Sequence, residues 1–433
     1  MKILVVGRWV PWPVSTGGRH RLSNIIKGLA ALGEVDFFGL THEGDPTAII
    51  PPPDSGVARA RVMARPEGAG SVRRRLLWTT FGKLPSFFFG RDYGSLREDL
   101  AKWAQTDYDL VWFNKPETYV AMSSLFSGPM VVDLDDLEDH VALARMSSSE
   151  AQERNQAFAW LARPYARKDI RLWTRLQARI SEAVDTVVVC SDLDRERLGT
   201  RNAVVIPNGY EAPSQPVGRI DVGDPPTIVF PGLLIHPANV DAAQRLATEI
   251  APLIRRQIPD LSVRLVGSPS PSVQRLHDPP RVFVTGQVKD IEVELGKADL
   301  IAVPLRYGGG TRIKILEAFA HNIPVVSTSL GAEGLDATDG AHLLLADSAE
   351  DFATACEHLL KNAELRGRLS SEARSLYESR YRWDKIRGEV ATLGRSVVSG
   401  TSGSLHGERG GRRQPARRSG APSTGDPETK IAP

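Results

Sequence analysis

Short apolar runs alternate with amphipathic segments over the first half of the chain. The run KILVV at residues 2–6 predicts a buried strand, and the glycine-bearing loop GRWVPWPVSTGGRHR follows it. The next segment, LSNIIKGLAALG, spaces its apolar residues as a helix does and ends at Gly33. Further strands are predicted in EVDFFGL, YDLVWFN, GPMVVDLD and VDTVVVCS. Strands that alternate with helices predict a parallel sheet covered by helices on both faces.

The same pattern restarts after a segment rich in proline and glycine, IPNGYEAPSQPVGRIDVGDPP. Strands are predicted in TIVFPG, LSVRLVG, VFVTG, DLIAVPL and IPVVSTS, with helices in ANVDAAQRLATEIAPLIRRQ and DIEVELGKA. We therefore predict an α/β protein with two doubly wound, Rossmann-like domains, over residues 1–209 and 227–380, joined by a linker over 210–226. Residues 395–433 are mostly Gly, Ser, Pro and Arg and predict a disordered tail.

Composition and charge narrow the classes of function. The chain is 41% hydrophobic and 24% charged, as in a soluble globular protein, and its net charge is only +2 with the basic excess in the tail. This balance argues against a nucleic-acid-binding protein. Cys190 and Cys356 lie in apolar contexts, so we expect buried thiols without a disulfide or a metal site. We find no run long enough to span a membrane, and expect a cytoplasmic protein; peripheral contact with a membrane stays open.

The segment PLRYGGGTRIKILEAFA, at residues 304–320, joins a predicted strand to a predicted helix. In open α/β sheets this position binds ligands, and a helix N-terminus offers unpaired N–H groups to an anion. The glycines therefore indicate either a plain loop or a phosphate cradle with Arg312 and Lys314 as cationic donors. Glu317 either pairs with Lys314 on the helix surface or accepts hydrogen bonds from a ribose. Walker A and G-x-G-x-x-G spacings do not fit.

The wider segment ADLIAVPLRYGGGTRIKILEAFAHNIPVVSTSLGAEGL resembles the donor site of GT-B glycosyltransferases of family 4. Other segments fall in matching order: GRWVPWPVSTGGRHR, VVDLDD, VVVCSDLDRERL, VVIPNGY, VFPGLLIHPANVDAA and VFVTGQVKDI. The resemblance covers residues 1–393. It implies a GT-B fold with the acceptor bound by the first domain and a nucleotide-sugar, such as a UDP- or GDP-sugar, bound by the second. It also implies a helix over 381–394 that packs back on the first domain, and hexosyl transfer with retention of configuration and without a metal or other cofactor.

The resemblance assigns donor-site roles to individual residues. Glu317 matches the glutamate that holds the donor ribose, whereas Gly309 stands where many members carry a second glutamate that contacts the sugar. The loop FPGLLIHPANVD lacks the Arg and Lys that clamp the diphosphate in many relatives, and offers His236 and Asn239 instead. His236 either donates to a phosphate or only caps the helix. The residues assigned to donor binding are Gly232, His236, Asn239, Gly286, Val288, Gly308, Gly309, Gly310, Thr311, Arg312, Lys314 and Glu317.

In the first domain, Gly17 and Gly18 are expected at the cleft edge, with Arg19 and Arg21 either adding positive charge there or exposed in the first turn of a helix. Asp133-x-Asp135 resembles a metal-binding motif of a different transferase fold. That fold has another domain plan, which two doubly wound halves do not fit, so we expect no metal. Asp135 and Asp136 follow a strand and are expected to orient an acceptor hydroxyl or to cap the next helix. We assign catalytic roles to Arg312 and Asp135.

The segment SVRRRLLWTTFGKLPSFFFGR is both basic and aromatic. It either lies on an anionic membrane surface or packs its aromatic residues on the first domain, and we favour the second reading.

The sequence thus favours a glycosyltransferase that acts on a glycan or lipid-linked acceptor in surface or exopolysaccharide synthesis. A sugar-nucleotide epimerase of the same fold and a catalytically degenerate binding protein are the alternatives. A NAD-dependent oxidoreductase is disfavoured, because G-x-G-x-x-G does not follow a strand in either half.

Overall fold

The computed structural model describes residues 1–14, 16–42, 45–67, 72–104, 107–146, 156–219, 222, 225–308 and 312–400. The expected tail lies outside these residues from 401 onward, although its predicted start at 395 is wrong because the last helix continues to Val398. Among the described residues, no helix combines the length and the apolar composition that crossing a membrane requires.

The first half contains one seven-stranded parallel sheet with the order β3-β2-β1-β4-β5-β6-β7. All of the strands predicted there are present, and the structure adds β3 and β7. The strands are β1 Lys2–Gly7, β2 Glu34–Thr41, β3 Arg59–Ala64, β4 Leu110–Asn114, β5 Met130–Asp135, β6 Thr186–Val189 and β7 Ala203–Val205. The helices are α1 Gly17–Ala30, α2 Val72–Phe81, α3 Gly94–Trp103, α4 Pro116–Met122, α5 Glu138–Met146, α6 Gln156–Ala183 and α7 Asp192–Leu198.

The second half repeats this plan with a six-stranded parallel sheet of order β10-β9-β8-β11-β12-β13. Its strands are β8 Thr227–Pro231, β9 Ser262–Val266, β10 Val282–Gly286, β11 Leu300–Val303, β12 Val325–Ser327 and β13 Leu344–Leu345. Its helices are α8 Pro237–Arg245, α9 Ala251–Ile254, α10 Pro271–Gln274, α11 Glu292–Leu295, α12 Ile313–Ala320, α13 Ala349–Lys361 and α14 Ala363–Leu376. Leu246–Ile250 joins α8 to α9 as a π-helical turn.

The strands of both sheets, apart from the edge strands β3, β7, β10 and β13, are buried along most of their length, because helices cover both faces. In β1, Ile3 and Val5 face the core that contains α1, whereas Leu4 and Val6 face the core that contains α3 and Trp173 of α6. The last helix, α15 Trp383–Val398, packs on α1 and so covers the first sheet, although it follows the second sheet in sequence.

Each strand order reverses direction between two central strands, β1 and β4 in the first sheet and β8 and β11 in the second. Loops diverge from the carboxyl ends of such strand pairs and leave a crevice, which is where open α/β sheets bind ligands. The fold therefore provides two ligand-binding crevices, and the functional site is built on them.

Candidate functional site

Loops from the carboxyl ends of both sheets line one cavity of about 1140 Å³. On the first-sheet side the lining comes from the segments after β1, β4 and β5 and from the start of α1. On the second-sheet side it comes from the segments after β8, β9 and β10 and from the start of α12. The cavity exceeds the roughly 300–1,000 Å³ of a typical site for one small ligand. It therefore has room for two substrates.

Helix α12 directs two charged side chains into this cavity. Its buried residues Ile315, Leu316, Ala318, Phe319 and Ala320 face the core. Lys314 and Glu317, which are three residues apart, therefore share the opposite face and line the cavity. The structure thus places both on the surface that a bound ligand would contact, rather than on an outer surface of the protein.

Glu317 is held by a residue of the connection between the two halves. Tyr210 Oη donates a hydrogen bond of 3.0 Å to Glu317 Oε1. Burial raises the pKa of Glu317 to about 7, although the hydrogen bond from Tyr210 and the charge of Lys314 oppose this rise. Sequence reasoning did not identify Tyr210, which lies 107 residues before its partner.

Lys314 reaches back to the loop after β8. Its Nζ donates a hydrogen bond of 2.8 Å to Asn239 Oδ1 and lies 4.3 Å from the ring centroid of Phe230. Asn239 Nδ2 in turn donates to the carbonyl oxygen of Leu233 at 3.0 Å. Burial and the nearby charge of Arg312 lower the pKa of Lys314 to about 7. Lys314 therefore brings a cation to a loop that carries neither Arg nor Lys.

Gly232 permits this approach. A Cβ atom at position 232 would lie 3.2 Å from Asn239 Nδ2 and 3.3 Å from Lys314 Nζ. The backbone of Gly267 approaches from the other side, since a Cβ there would lie 1.9 Å from the Gly232 carbonyl oxygen. A side chain at either position would displace these groups.

The other donor-site residues fall into two sets. His236 is exposed at the N-cap of α8, where its carbonyl oxygen accepts hydrogen bonds from the N–H groups of Asn239 and Val240. It lines the cavity together with Val288. Gly286 does not line the cavity, and its carbonyl oxygen accepts a hydrogen bond from Gly267. Gly309, Gly310 and Thr311 lie outside the described residues.

The structure separates Arg312 from Lys314 and Glu317. Arg312 and Gly308 line a second cavity of about 260 Å³, and neither lines the larger one. The Arg312 side chain is only 8% exposed, and its Nε donates to the carbonyl oxygen of Glu333 at 3.3 Å. Burial lowers the pKa of Arg312, which Asp136 and the carboxylate of Glu333 partly offset.

On the first-sheet side, Gly17 and Gly18 line the cavity at the start of α1. This segment was predicted as loop, but the helix begins at Gly17. Gly18 packs so closely on the indole of Trp9 that a Cβ would lie 2.4 Å from its ring. Arg19 does not line the cavity and donates to the carbonyl oxygen of Pro13 at 3.3 Å.

Arg21 is not a cleft residue, contrary to our prediction. Its side chain is 0% exposed, and its Nε and Nη2 donate to both carboxylate oxygens of Asp133 at 2.7–3.1 Å. Its Nη1 donates to Asn208 Oδ1 at 3.1 Å. Burial opposes its charge, but the carboxylates of Asp133 and Asp135 raise the pKa of Arg21. The helical rotation from Arg19 to Arg21 points the second side chain inward, onto a buried carboxylate.

Asp135 is buried in a network of hydrogen bonds and charges. Asn208 Nδ2 donates to its Oδ1 at 2.9 Å, and Lys115 Nζ lies 3.6 Å from its Oδ2. Although burial disfavours the carboxylate, Lys115 and Arg21 lower the pKa of Asp135. Asp135 and Asp136 both line the larger cavity.

Two residues beside this network have backbone conformations that L-residues rarely adopt. Lys115 has φ +74° and ψ 148°, and Asp135 has φ +57°. Such conformations concentrate at functional sites and cost of order 1–3 kcal/mol each. Lys115, Arg8, Glu117 and Glu138 all line the cavity, and sequence reasoning identified none of them. Lys115 and Glu117 directly follow β4, a strand at the point where the order reverses, so their position was the available signal.

The donor atoms of Asp135, Asp136 and Cys190 lie within 4.8 Å of one another. These three residues fit a metal poorly. Burial and the charge of Asp135 raise the pKa of Asp136, and burial raises the pKa of the Cys190 thiol, so both groups favour their protonated forms. Cys190 is half-buried and its Sγ lies 3.4 Å from carboxylate oxygens of Asp136 and Asp194, unlike the apolar site that we predicted.

The basic and aromatic segment packs its large rings inward. Trp78 is 1% exposed, and its ring contacts the tilted ring of Tyr165 of α6 at a centroid distance of 4.6 Å; Phe88 is buried beside Trp173. Phe81, in contrast, is 70% exposed. The side chains of residues 72–76, including the three consecutive arginines, lie outside the described part.

Residues 225–362, which build this second-sheet crevice, match the family model described as "Glycosyl transferases group 1". The phosphatidyl-myo-inositol mannosyltransferase of Propionibacterium freudenreichii is 28% identical to this chain over 166 residues, which are 37% of this chain and 42% of the mannosyltransferase. The chain spans less than half the length of the curated relatives it matches.

Two solved structures resemble this protein over both halves. Sucrose-phosphate synthase from Thermosynechococcus elongatus is 19% identical, with a TM-score of 0.66 over 92% of this chain and 100% of the synthase chain. Anabaena HepE in complex with UDP and glucose is 16% identical, with a TM-score of 0.60 over 92% of this chain and 100% of the HepE chain. The chain thus has the GT-B fold, and the predicted fold and the resemblance to GT-B glycosyltransferases are confirmed.

Proposed function

We propose that this protein is a retaining hexosyltransferase that moves a sugar from a nucleotide-sugar to a glycan or lipid-linked acceptor in surface or exopolysaccharide synthesis. The observation that carries the proposal is the pair Lys314 and Glu317, which α12 directs into a cavity beside Gly232 and Asn239. A carboxylate and a cation on one helix face suit the ribose and the diphosphate of a nucleotide.

In this proposal Glu317 accepts hydrogen bonds from the ribose hydroxyls, and Lys314 donates to the diphosphate. Lys314 thereby supplies the charge that the loop after β8 lacks, and a charge-assisted hydrogen bond of this kind contributes about 1.5–3 kcal/mol. The N-terminus of α8, where His236 is the N-cap, lies at the same edge and presents the positive end of the helix dipole to the diphosphate. We propose that Val288, which also lines the cavity, contacts the base.

The chemical step needs no nucleophile from the protein. The leaving diphosphate takes the proton of the acceptor hydroxyl, while the protein positions both substrates and stabilises the growing charge. We infer that transfer is independent of a metal, because Asp133 is committed to Arg21 and Asp135 to Asn208 and Lys115. Asp135 and Asp136 then orient the acceptor. Arg312 lines the second cavity, so Lys314 rather than Arg312 is the main cation at the diphosphate.

The relatives support this reading of the substrates. HepE was solved with UDP and glucose, and the mannosyltransferase acts, by its name, on a phosphatidylinositol. We infer that the protein works in the cytoplasm and meets a lipid-linked acceptor at the inner face of the membrane.

Thermal unfolding with and without nucleotides tests donor binding. We expect UDP or GDP to raise the melting temperature by several degrees. Glu317→Ala should abolish most of that rise, because it removes the ribose acceptor, whereas Glu372→Ala, at an exposed position of α14, should leave it unchanged. If no nucleoside diphosphate stabilises the wild type, the chain is a binding protein of the same fold. Release of an epimerised sugar without transfer would instead indicate an epimerase.

A further inference from the structure

Three arginines converge on one aromatic ring in the first-sheet half. The guanidinium carbons of Arg91, Arg65 and Arg8 lie 4.0, 4.8 and 5.1 Å from the ring centroid of Phe87. These residues come from three separate segments, since Arg8 follows β1, Arg65 follows β3, and Phe87 and Arg91 belong to the connection between α2 and α3. Their convergence is therefore a product of the tertiary structure.

Carboxylates neutralise this cluster only at one end. Arg8 pairs with Glu117 at 2.7 Å and with Glu138 at 3.3 Å. Arg65 Nη1 lies 2.9 Å from His42 Nε2, and Arg91 Nε donates to the carbonyl oxygen of Pro66. Among the described residues, a carboxylate lies within ion-pair distance of Arg8 but not of Arg65 or Arg91.

Burial and the neighbouring charges change the pKa values of residues in this cluster. Burial, together with the charges of Arg8 and Arg91, lowers the pKa of Arg65 to about 10, and Glu117 offsets only part of this effect. Burial and Glu138 raise the pKa of Glu117, against the charge of Arg8, so the main counter-charge is itself weakened. The cluster therefore favours an additional anion.

The cluster opens into the large cavity. Arg8, Phe87 and Arg91 line it, together with Lys115, while Lys314 and Glu317 line its second-sheet side. The cavity is large enough for an acceptor beside a nucleotide. An anion held by the arginines would thus belong to the acceptor and not to the donor diphosphate.

We propose that Arg8 and Arg91, which line the cavity beside Phe87, form an acceptor subsite for a phosphate group, and that Arg65, which does not line the cavity, adds positive charge beside the same ring. The assignment of this subsite to the acceptor rests on the proposed function, whereas the binding of phosphate itself does not. Guanidinium groups match phosphate geometry through paired N–H donors. The subsite selects acceptors that carry a phosphate or diphosphate next to the sugar or lipid.

Calorimetry with defined probes tests this subsite. Glucose 1-phosphate, inorganic pyrophosphate, glucuronate and glucose are titrated into the protein saturated with UDP, so that the donor site is occupied. We expect the two phosphate compounds to bind the wild type and to bind Arg65→Gln/Arg91→Gln at least tenfold more weakly. Arg179→Gln, an exposed position on α6, is the matched control and should bind as the wild type does. Arg91→Lys should recover only part of the affinity, because it restores charge without the planar pair of donors.

The outcomes separate this subsite from the alternatives. If neither phosphate compound binds the wild type, or if both bind the double variant equally well, the subsite does not exist. Tighter binding of glucuronate than of glucose 1-phosphate would replace phosphate with carboxylate and overturn the proposal. If the role of the cluster is purely structural, the double variant will melt at a much lower temperature than the wild type but will bind the probes equally well.

Two further experiments identify the molecule that carries the phosphate and keep the test of the subsite independent of the proposed function. Flotation with phosphatidylglycerol vesicles, compared with phosphatidylcholine vesicles, identifies a lipid phosphate if wild-type binding is lost in the double variant. Loss of soluble-probe binding alone identifies a phosphate on a soluble acceptor. If UDP fails to bind, the titrations are repeated without it. Phosphate binding at the subsite is then still tested, even though the proposed function has failed. Lys314→Met should weaken UDP binding and leave the binding of glucose 1-phosphate unchanged.

Discussion

Lys314 and Glu317 occupy one cavity face with pKa values that burial has moved to about 7 from opposite directions. A lysine is charged below its pKa and a carboxylate above its pKa. The state in which Lys314 is a cation and Glu317 an anion is therefore most populated near neutral pH. This state is the one that a diphosphate and a ribose require.

Nucleotide binding should consequently show a maximum near pH 7. We expect the affinity for UDP to fall above pH 8, where Lys314 loses its proton, and below pH 6, where Glu317 gains one. At pH 8 a bound diphosphate should restore the proton on Lys314, so binding should take up protons from the buffer. Calorimetry in buffers of different ionisation enthalpy measures this uptake; proton release at pH 8 would contradict the assignment.

The lowered pKa of Lys314 also makes a prediction for stability. Between about pH 7 and the ordinary lysine value of 10.5, the unfolded chain binds this proton and the folded protein does not. The free energy of unfolding therefore gains a positive contribution to its slope as pH rises through this window. Lys314→Met should remove that contribution, which urea unfolding at several pH values between 7 and 10 measures. Lys102→Met, at an exposed position of α3, should preserve it.

At the scale of elements, the contact between α1 and α15 ties the end of the chain to the first sheet. Gly28 makes this contact possible, because a Cβ there would lie 2.9 Å from both the carbonyl oxygen of Arg387 and the Cβ of Val390. Close packing of two helices at a glycine leaves no volume for even one methyl group.

Gly28→Ala should therefore destabilise the protein, although alanine is the better helix former. We expect a loss of about 1–3 kcal/mol in the free energy of unfolding, as for overpacked cores. Gly388→Ala in α15 is the matched control, since a Cβ there meets open space. That change should stabilise the protein by about 0.5–1 kcal/mol. Equal effects of the two changes in denaturant unfolding would show that α15 does not pack on α1.

Across the whole molecule, the chain passes between its two halves at two adjacent places. The N–H of Tyr210 donates to the carbonyl oxygen of Tyr381 at 2.9 Å, and the N–H of Trp383 donates to the carbonyl oxygen of Tyr210 at 3.2 Å. Tyr210 also holds Glu317, so the crossing point contacts the proposed donor site directly. Arg380 spans this region through Asp192 of α7 and Asp336, at 2.8 and 2.6 Å.

Arg380→Ala should affect catalysis more than stability. The Arg380 side chain is 36% exposed, so its ion pairs contribute at most about 1 kcal/mol to unfolding. Loss of these pairs frees the orientation of the halves, and we expect kcat/KM for sugar transfer to fall severalfold. Arg382→Ala removes a neighbouring arginine whose ion pair among the described residues is with Asp384 at 2.7 Å, and should leave kcat/KM unchanged. Similar kinetics for the two variants would exclude a role of Arg380 in domain orientation.

The sequence by itself determined the features that depend on local periodicity. Alternating strands and helices predicted two parallel sheets. The position of the segment 304–320 between a strand and a helix left both a ligand-binding and a surface role open for Lys314 and Glu317, and the resemblance to GT-B glycosyltransferases favoured the ligand-binding role. These inferences hold because the spacing of apolar residues decides which face of a helix is buried. The resemblance that assigned the residue roles also rests on short sequence segments and the spacing of residues within them.

Only the tertiary structure decided which charged residues are buried together. Arg21 looked like a cleft residue, yet it binds Asp133, which lies 112 residues away in sequence. Arg8, Arg65 and Arg91 gave no joint signal, because the loops that carry them follow different elements and meet only when the sheet forms. A charge is buried only where distant partners offset the loss of hydration, and local spacing along the chain does not encode those partners.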